Sequence, residues 1–502
     1  MLDIQSGVWL VLGIGLLTYV VKKLFMDDLS RVPGPLMGKL LPFWMDISVL
    51  TGHYTTKLRR LHEKYGPVVQ IGSSTVIVLD PDVIPTIYGT HRFRKSPTFY
   101  ETFRIAEHHL FSTSDPKLYA ERHKIVASIY GPASLRKLEQ LVYGSGPKKL
   151  LNRVMAKYEE KSGPVVVDFF DEFRMLTFSV IVEIAMGGEE SFRSLNVSQD
   201  QLLDWFNSFA LMQGVKLVIP VLGYDSLYRY CSGLFYGERG FHKYALQIIE
   251  LRRQRIKNHQ ADPDRYPAPP QDVVQAFLEA RHPETGEKLS DSAMATEIAV
   301  QLISGFETTS TALTWFFYAL LIHPEVHDKV IDELLTTFPD RSKPIKAAEI
   351  TQKLPYLDAL IHETLRVYAP AAFAFPRLVP DGGITIQGHH IPEGMDVGIS
   401  VYSWHHYAEA FPDPDTFNPE RFLGPEGENN KRKVMAFLTG VRQCIGRRLA
   451  MMEIQITLVH ILRELKLSPV ESDLASKPII SFPIYYLKDK KLLVRVEPRP
   501  YQ

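Results

Sequence analysis

Residues 437–450, with the sequence FLTGVRQCIGRRLA, constrain the possible folds of this chain more than any other stretch. Their centre is Cys444, one of two cysteines in 502 residues, on a loop that also contains Gly440 and Gly446. Apolar residues recur at helical spacing from Leu449 onward, so the loop leads into a helix N-terminus. There, free backbone N–H groups and the helix dipole favour a thiolate. No second cysteine or histidine is near in the sequence, which argues against zinc and predicts a single thiolate ligand to a cofactor metal.

The composition is that of a globular protein with a large core. Hydrophobic residues make up 45% of the chain and charged residues 23%, which is enough to enclose a cofactor. Length alone favours two or three domains. The formal net charge is zero, so nothing indicates nucleic-acid binding. Two cysteines form no disulfide framework, which favours a reducing compartment.

The first 26 residues predict a membrane anchor. Gly7–Val21 carries no charge, and Lys22 and Lys23 follow directly. With its apolar flanks and snorkelling lysines, this run approaches the roughly 20 residues that a bilayer requires. A cleaved signal peptide is the alternative, but the positive charges lie on the wrong side of the apolar run. The positive-inside rule places the following chain in the cytoplasm. The chain is therefore divided into an anchor (1–26), a proline-containing hinge (27–50) and one body (51–502).

The periodicity of the body is mainly helical. Most periodic segments between residues 115 and 318 predict helices. Strand-like runs occur at Val68–Gly72 and Thr75–Leu79, near residues 384–401, and in the last thirty residues. The predicted fold class is mostly α (α+β): a helical body with a small, discontinuous β portion, plus one N-terminal transmembrane helix.

Residues Ser290–His323 predict one long buried helix with Ser290 as its N-cap. Its centre, around Ser304, Glu307 and Thr308, consists mostly of weak helix formers. A carboxylate in a buried helix also costs free energy unless it is paired or protonated. Such departures from local rules are expected at functional sites. The alternative is a serine/threonine-rich bend with a surface glutamate.

The cysteine loop resembles that of a known family. FLTGVRQCIG fits the F-x-x-G-x-R-x-C-x-G haem-binding loop of the cytochrome P450 family at every fixed position. A buried structural cysteine is the other interpretation, but it leaves the spacing of the glycines and the arginine unexplained. The resemblance implies a cytochrome P450 fold around haem b, with Cys444 as the axial iron ligand and Phe437, Arg442 and Gly446 beside the cofactor.

The long helix resembles the same family at its centre. Gly305, Glu307 and Thr308 match the family's glycine, acid and threonine, whereas Ser304 stands where the family has alanine or glycine. The resemblance implies an oxygen-binding groove against this helix. There, Glu307 would relay protons and the Thr308 hydroxyl would position them.

Three further residues resemble the structural motifs of the family. Glu363 and Arg366 form its helical E-x-x-R, and Arg421 lies in the downstream motif PERF. The resemblance implies that these three form a buried charge network. The network would hold the chain that precedes the cysteine loop.

The two haem propionates need cations. The resemblance implies Arg442 from the loop and Arg377 from FPRLV. Many relatives add a tryptophan and a basic residue four positions apart in an earlier helix, where this chain has Tyr119 and His123. We therefore take His123 as the candidate from that helix, and this departure leaves the propionate partner there open.

The resemblance also implies partners. Lys431, Arg432, Lys433, Arg447 and Arg448 lie around the cysteine loop; in the family this face docks NADPH-cytochrome P450 reductase, and in some members cytochrome b5 as well. An ordinary basic loop surface is the equal alternative. The expected location is the endoplasmic reticulum membrane, single-pass, with the catalytic body facing the cytoplasm.

The implied function is that of a haem-thiolate monooxygenase that uses O2 and NADPH-derived electrons to oxidise a hydrophobic small molecule. The texture of the chain, including the stretch HHLFSTSDPKLYAERHK (residues 108–124), resembles fungal members of the pisatin demethylase type. This resemblance suggests a terpenoid, polyketide or alkaloid of secondary metabolism. The alternatives are an O2-independent haem-thiolate isomerase or dehydratase and a non-catalytic haem sensor. The segments expected to border the haem are His91–Ser114, Trp205–Leu222, Ala369–Pro376 and Ile479–Tyr485. Candidate substrate contacts are Phe373, Phe375 and Phe482.

Overall fold

The computed structural model describes residues 4–500 except 43, 189–196, 224–232, 283–284, 342 and 482–483. The described part is mostly helical. In chain order its helices are α1 (Ile4–Val21), α2 (Leu36–Leu40), α3 (Ile47–Leu50), α4 (Tyr54–Tyr65), α5 (Ile84–Tyr88), α6 (Pro97–Tyr100), α7 (Pro116–Ala127), α8 (Pro132–Ser145), α9 (Pro147–Lys161), α10 (Phe169–Met186), α11 (Gln199–Val218), α12 (Tyr236–Ala261), α13 (Val273–Glu279), α14 (Asp291–Ile322), α15 (Pro324–Thr337), α16 (Ala347–Lys353), α17 (Pro355–Val367), α18 (Val401–His405), α19 (Gly427–Lys433) and α20 (Arg447–Glu464).

The strands form small sheets at the edges of the helical body. They are β1 (Val68–Gly72), β2 (Thr75–Val78), β3 (Val165–Asp168), β4 (Arg377–Leu378), β5 (Ile384–Ile386), β6 (His389–Ile391), β7 (Asp396–Gly398), β8 (Leu465–Pro469), β9 (Ile479–Ser481), β10 (Tyr485–Leu487) and β11 (Leu493–Pro498). The largest sheet has the order β1-β2-β7-β4. In it, β1 and β2 form an antiparallel hairpin, β7 runs parallel to β2, and β4 is antiparallel to β7. A second sheet has the order β3-β11-β8.

Helix α14 lies at the centre of the helical core. Its N-cap is Ser290, whose hydroxyl accepts a hydrogen bond from the backbone N–H of Ala293 at 3.1 Å, as the sequence predicts. Helix α10 packs along its length, and at one contact the rings of Phe169 and Phe317 meet edge to face, 5.1 Å apart. Burial of aromatic side chains from both helices provides much of the apolar stabilisation here.

The predicted hinge is packed against the body over much of its length. Leu29, Val32 and Val49 are almost fully buried. The carbonyl of Pro33 accepts a hydrogen bond from the backbone N–H of Gln70 in β1 at 2.7 Å. Gly34 approaches the same strand so closely that a Cβ there would lie 2.3 Å from the Gln70 carbonyl oxygen. Because it is packed, this segment restricts how the body can be oriented relative to the membrane or other structure that binds α1.

The N-terminal helix stands apart from the core. The segment Val8–Met26, which comprises most of α1 and the helical turn after it, is long and apolar enough to cross a membrane, and none of it is buried against the body. Its contact with the rest of the chain includes a hydrogen bond from the Tyr19 hydroxyl to the carbonyl of Leu40, at 2.7 Å.

Candidate active site

The cysteine loop is held in one shape by backbone constraints. The backbone N–H of Cys444 donates to the carbonyl of Phe437 at 3.0 Å, which closes the loop. Gly440 has φ +75°, and a Cβ there would lie 2.0 Å from the carbonyl oxygen of Tyr88, so only glycine fits this position. Helix α20 begins at Arg447, three residues after the cysteine. Gly440 thus allows the cysteine loop to approach α5 closely.

The Cys444 thiol lies on the wall of an interior cavity of about 370 Å³. Its surface is accessible, but it faces this cavity and is surrounded by protein. Burial raises the pKa of the thiol above its usual value, although hydrogen bonds from the backbone N–H groups of Gly446 and Arg447 and the Arg447 charge act in the opposite direction. The sequence predicts a lowered pKa from the helix N-terminus alone. Desolvation outweighs that effect, and a cation bound at the sulfur would favour the thiolate.

Helix α14 supplies the polar groups on another part of the cavity wall. Ser304, Gly305, Thr308 and Thr309 all line the cavity. The Thr308 hydroxyl donates to the Ser304 carbonyl at 2.6 Å, which leaves its oxygen lone pairs free to accept. The remaining wall is mostly apolar.

Glu307 is on a different face of α14 from Thr308. Its carboxylate is buried and pairs with Arg174 of α10, whose Nε and Nη2 both lie 3.1 Å from Oε2. Burial raises the pKa of Glu307, and the charges of Arg174 and Lys490 oppose this shift. Glu307 lines a second, smaller cavity of about 220 Å³, together with Tyr486 and Lys490. The two neighbouring residues that the sequence singles out therefore face two different cavities.

Glu363, Arg366 and Arg421 are brought into direct contact. Glu363 and Arg366 have 0% exposure and form two hydrogen bonds, at 2.7 and 2.8 Å. The Nε of Arg421 donates to the same carboxylate at 3.2 Å. Arg366 also donates to the carbonyls of His405 and Pro414. This network ties α17 to the chain that leads to the cysteine loop.

Of the two predicted propionate partners, Arg442 lines one edge of the cavity, whereas Arg377 does not line it but contacts Tyr100, which does. Arg377 is 1% exposed, and its Nη1 donates to the Tyr100 hydroxyl at 2.7 Å, while its Nη2 has no hydrogen-bond partner among the described residues. The guanidinium of Arg442 lies 3.6 Å from the ring centroid of Tyr119. Burial lowers the pKa of Arg442 to about 10, and the nearby charge of Arg377 contributes to that shift.

His123 lies behind this edge. Its ring is 5.3 Å from the ring of Tyr119, and it is absent from the residues that line the cavity, whereas Tyr119 is among them. Lys95 also lines the cavity near Arg442. The sequence does not point to Lys95, because it is one of several basic residues in residues 91–95 and no motif distinguishes it from the others.

The cavity fits a haem. An accessible thiol lies on its wall, and hydroxyls of α14 line another part. Arg442 lies at one edge, Arg377 with its unpartnered Nη2 lies beside it behind Tyr100, and no carboxylate of the described residues is paired with either arginine. A flat, apolar cofactor that bears two carboxylates and an iron matches this set of donors. Cys444 would hold the iron, and the arginines would hold the carboxylates.

All four segments predicted to border the haem reach the cavity. Phe103, Phe209, Phe373 and Ile484 are examples, one from each segment. Phe373 and Phe375 line the cavity and also belong to a buried hydrophobic cluster. Phe482 lies outside the described residues.

Known proteins share this architecture. The family described as Cytochrome P450 matches residues 32–492. Similar proteins include cytochrome P450 monooxygenase helB1 of Aspergillus fumigatus, 26% identical over 92% of this chain and 78% of the relative. Another is cytochrome P450 monooxygenase BOT1 of Botryotinia fuckeliana, 28% identical over 90% of this chain and 88% of the relative. Among solved structures, the cytochrome P450DA heme domain superposes with a TM-score of 0.73 at 20% identity, over 94% of this chain and 98% of that one.

The fold and the thiol-lined cavity define a haem-thiolate oxidoreductase. The chain belongs to the cytochrome P450 family, and its cofactor is haem. The predicted family, fold class, enzyme class and cofactor are thereby confirmed.

Replacing the shared carboxylate tests the charge network. Glu363→Gln should lower the free energy of unfolding by about 3–5 kcal/mol, because two buried guanidiniums lose their charged partner. Urea unfolding of the haem-loaded protein, followed by haem absorbance, measures the change. Glu349→Gln is the control, since it removes the charge from an exposed pair with Lys353 (2.9 Å) while the amide oxygen can still accept from the Lys346 backbone, and it should change the midpoint little. An equal decrease in the free energy of unfolding in both variants would show that the network does not stabilise the fold.

Proposed function

We propose that this protein is a monooxygenase that inserts one oxygen atom of O2 into a hydrophobic small molecule, using two electrons that originate from NADPH. The observation that carries this proposal is that the Cys444 thiol and the Thr308 hydroxyl line one apolar cavity. Bound haem supplies the activation of O2. The second oxygen atom leaves as water, which requires two protons for each turnover. The chain must therefore bind the cofactor, place the substrate and deliver protons.

Residues of the cysteine loop and of the cation edge hold the cofactor in this proposal. Cys444 is the iron ligand, and the backbone N–H groups that hydrogen-bond to its sulfur limit the charge that the thiolate donates. Phe437 and Gly446 line the cavity beside it. Arg377 and Arg442 bind the propionates with charge-assisted hydrogen bonds.

Protons arrive from the second cavity. Glu307 has its carboxylate between Arg174 and that cavity, where Lys490 reaches the surface and donates to the side chain of Asn207. Burial raises the pKa of Glu307, which favours the protonated form that a proton donor requires. A change of its side-chain rotamer would move that proton across α14 towards Thr308. The Thr308 hydroxyl then orients the proton on the haem side.

The substrate is a bulky apolar molecule. Aromatic side chains from several segments surround the cavity, including Phe99, Phe103, Phe111, Phe206 and Phe375. Such a wall selects by shape and hydrophobicity. Together with the fungal relatives, it supports a role in secondary metabolism, with a terpenoid, polyketide or alkaloid as substrate.

The electron donor is NADPH-cytochrome P450 reductase, with cytochrome b5 as a possible second donor in this proposal. Of the basic residues around the cysteine loop, Lys431 pairs with Asp358 and Glu428 at 2.8 Å, and Lys433 donates to the carbonyl of Ala410. The exposed cations are therefore three arginines. They are Arg432, Arg447 and Arg448. A positive face of this kind attracts an acidic flavoprotein domain.

Replacing the ligand tests the haem-thiolate assignment. Cys444→Ala should abolish the red-shifted Soret band of the ferrous–CO complex, because that band requires thiolate ligation. Cys231→Ala, which removes the other cysteine, should leave the spectrum unchanged. A red-shifted band that persists in Cys444→Ala would refute the assignment.

Removing the Thr308 hydroxyl tests proton delivery. Thr308→Ala should lower the yield of product per NADPH by roughly 10-fold or more, with a matching rise in hydrogen peroxide. The reason is that the variant lacks the hydroxyl that positions protons on the haem side of α14. Thr308→Ser keeps the hydroxyl and should keep most of the yield. The substrate for this assay comes from comparing metabolites of strains with and without the gene. Product formation without NADPH would instead indicate an isomerase or dehydratase.

Deleting the first helix tests the membrane assignment. We propose that residues 1–26 anchor the protein in the endoplasmic reticulum with the body in the cytoplasm, because Val8–Met26 is apolar, exposed and followed by the packed hinge. The full chain should stay in the membrane pellet after alkaline carbonate extraction, and removal of 1–26 should increase the soluble fraction. Full-length protein extracted by carbonate would contradict a spanning helix.

A further inference from the structure

Gln213 is a polar side chain on an otherwise apolar face of α11. From that helix, four residues line the large cavity: Phe206, Phe209, Gln213 and Leu217. Their spacing of three or four positions places them on one face of the helix. Gln213 is 1% exposed, so its amide is shielded from bulk water. The helix therefore brings one buried amide to a stretch of cavity wall that is otherwise aromatic and aliphatic.

A buried ion pair fixes the orientation of this amide. Lys216 of α11 and Glu238 of α12 are 3% and 0% exposed, and the ammonium lies 2.6 Å from Oε1 of the carboxylate. Nε2 of Gln213 donates to the same oxygen at 3.2 Å. Burial raises the pKa of Glu238, and the charge of Lys216 and the hydrogen bonds from Lys216 and Gln213 oppose that shift. A carboxylate paired with an ammonium only accepts hydrogen bonds, so the NH2 end of the amide points to Glu238 and the carbonyl end does not.

The carbonyl oxygen of Gln213 lacks a hydrogen-bond donor. Its Oε1 has no partner among the described residues. The nearby ammonium of Lys216 donates to Glu238 and, at 3.3 Å, to the backbone carbonyl of Thr102. A buried acceptor without a partner costs free energy until a donor reaches it. Since Gln213 lies on the cavity face of α11, a molecule bound in the cavity can supply that donor.

We propose that the carbonyl oxygen of Gln213 accepts a hydrogen bond from the substrate, and that the substrate is therefore a hydrophobic molecule that bears a hydroxyl or N–H group. Glu238 and Lys216 are positioning residues, because they act through the orientation of the amide. The inference rests on the proposed function, which places the substrate in this cavity, and it narrows the substrate class. Alcohols, phenols, amines and amides are favoured over hydrocarbons, ethers and esters of similar shape.

The contact also restricts how the substrate lies. Cys444 and Thr308 line the same cavity as Gln213, so the donor group and the oxidised position belong to one molecule that spans them. A hydrogen bond at one point of an apolar molecule fixes its orientation where hydrophobic contact alone does not. Gln213 therefore determines the site of oxidation as well as the choice of substrate.

The test compares two forms of one compound. The probe is the compound that accumulates in a strain without the gene, beside a derivative in which its hydroxyl or N–H groups are methylated. Binding is followed as the shift of the Soret band of the haem-loaded protein, which requires no turnover. The parent should bind the unmodified compound roughly 10–100-fold more tightly, because the methylated form leaves a buried acceptor unpaired. In Gln213→Met, which has a similar length but no carbonyl, the two forms should bind within about 3-fold of each other, since no acceptor remains to be left unpaired.

A matched control makes the same change elsewhere on the helix. Gln201→Met replaces an exposed residue of α11 and should keep the preference of the parent, and the red-shifted ferrous–CO band shows that each variant is folded and holds haem. An unchanged preference in Gln213→Met, or equal weakening of both forms, would overturn the inference. So would an accumulating compound without a donor, or a parent without a preference, neither of which depends on a variant. Any of these results alongside NADPH-dependent oxidation of the compound leaves the proposed function intact, whereas binding without oxidation would contradict the proposed function alone.

Discussion

The carboxylate of Glu363 is the interaction on which the site depends most. It is fully buried and shared by Arg366 and Arg421, which in turn hold several carbonyls of the chain before the cysteine loop. Buried charges tolerate few arrangements, because each must keep its partners to offset the loss of water. The network therefore defines one path for a chain with little regular structure. The position of Cys444 follows from that path, together with the close approach of Gly440 to Tyr88.

Helix α14 keeps two kinds of chemistry apart. The Thr308 hydroxyl shares the large cavity with the thiol, while the adjacent Glu307 is paired with Arg174 beside a smaller one. One residue along a helix turns the side chain by about a quarter of the circumference, so adjacent residues meet different surroundings. This arrangement keeps the acid out of the apolar substrate space. It also explains why a buried carboxylate is tolerated at the centre of an apolar helix.

Several positively charged side chains lie together near one edge of the large cavity. Lys95, Arg377 and Arg442 lie close enough for their charges to interact, and no carboxylate in the described part of the chain pairs with them. In the proposed function, the cofactor's carboxylates supply the missing negative charge. The proposed function would then couple the stability of the folded protein to the retention of haem, because a bound cofactor would relieve the repulsion among buried cations.

The sequence by itself determined the family, the long helix from its serine cap, the cysteine loop and the residues of the E-x-x-R network, because each depends on local spacing or on a motif within a few positions. Only the tertiary structure decided three other features. It raised the pKa of the Cys444 thiol, because burial is a property of the whole fold. It paired Glu307 with Arg174, more than a hundred residues away. It brought Lys95 rather than His123 to the cavity beside Arg377 and Arg442, which are separated from Lys95 by nearly 300 residues or more. Desolvation and long-range charge contacts arise only when distant segments pack together, and no local pattern in the chain encodes them.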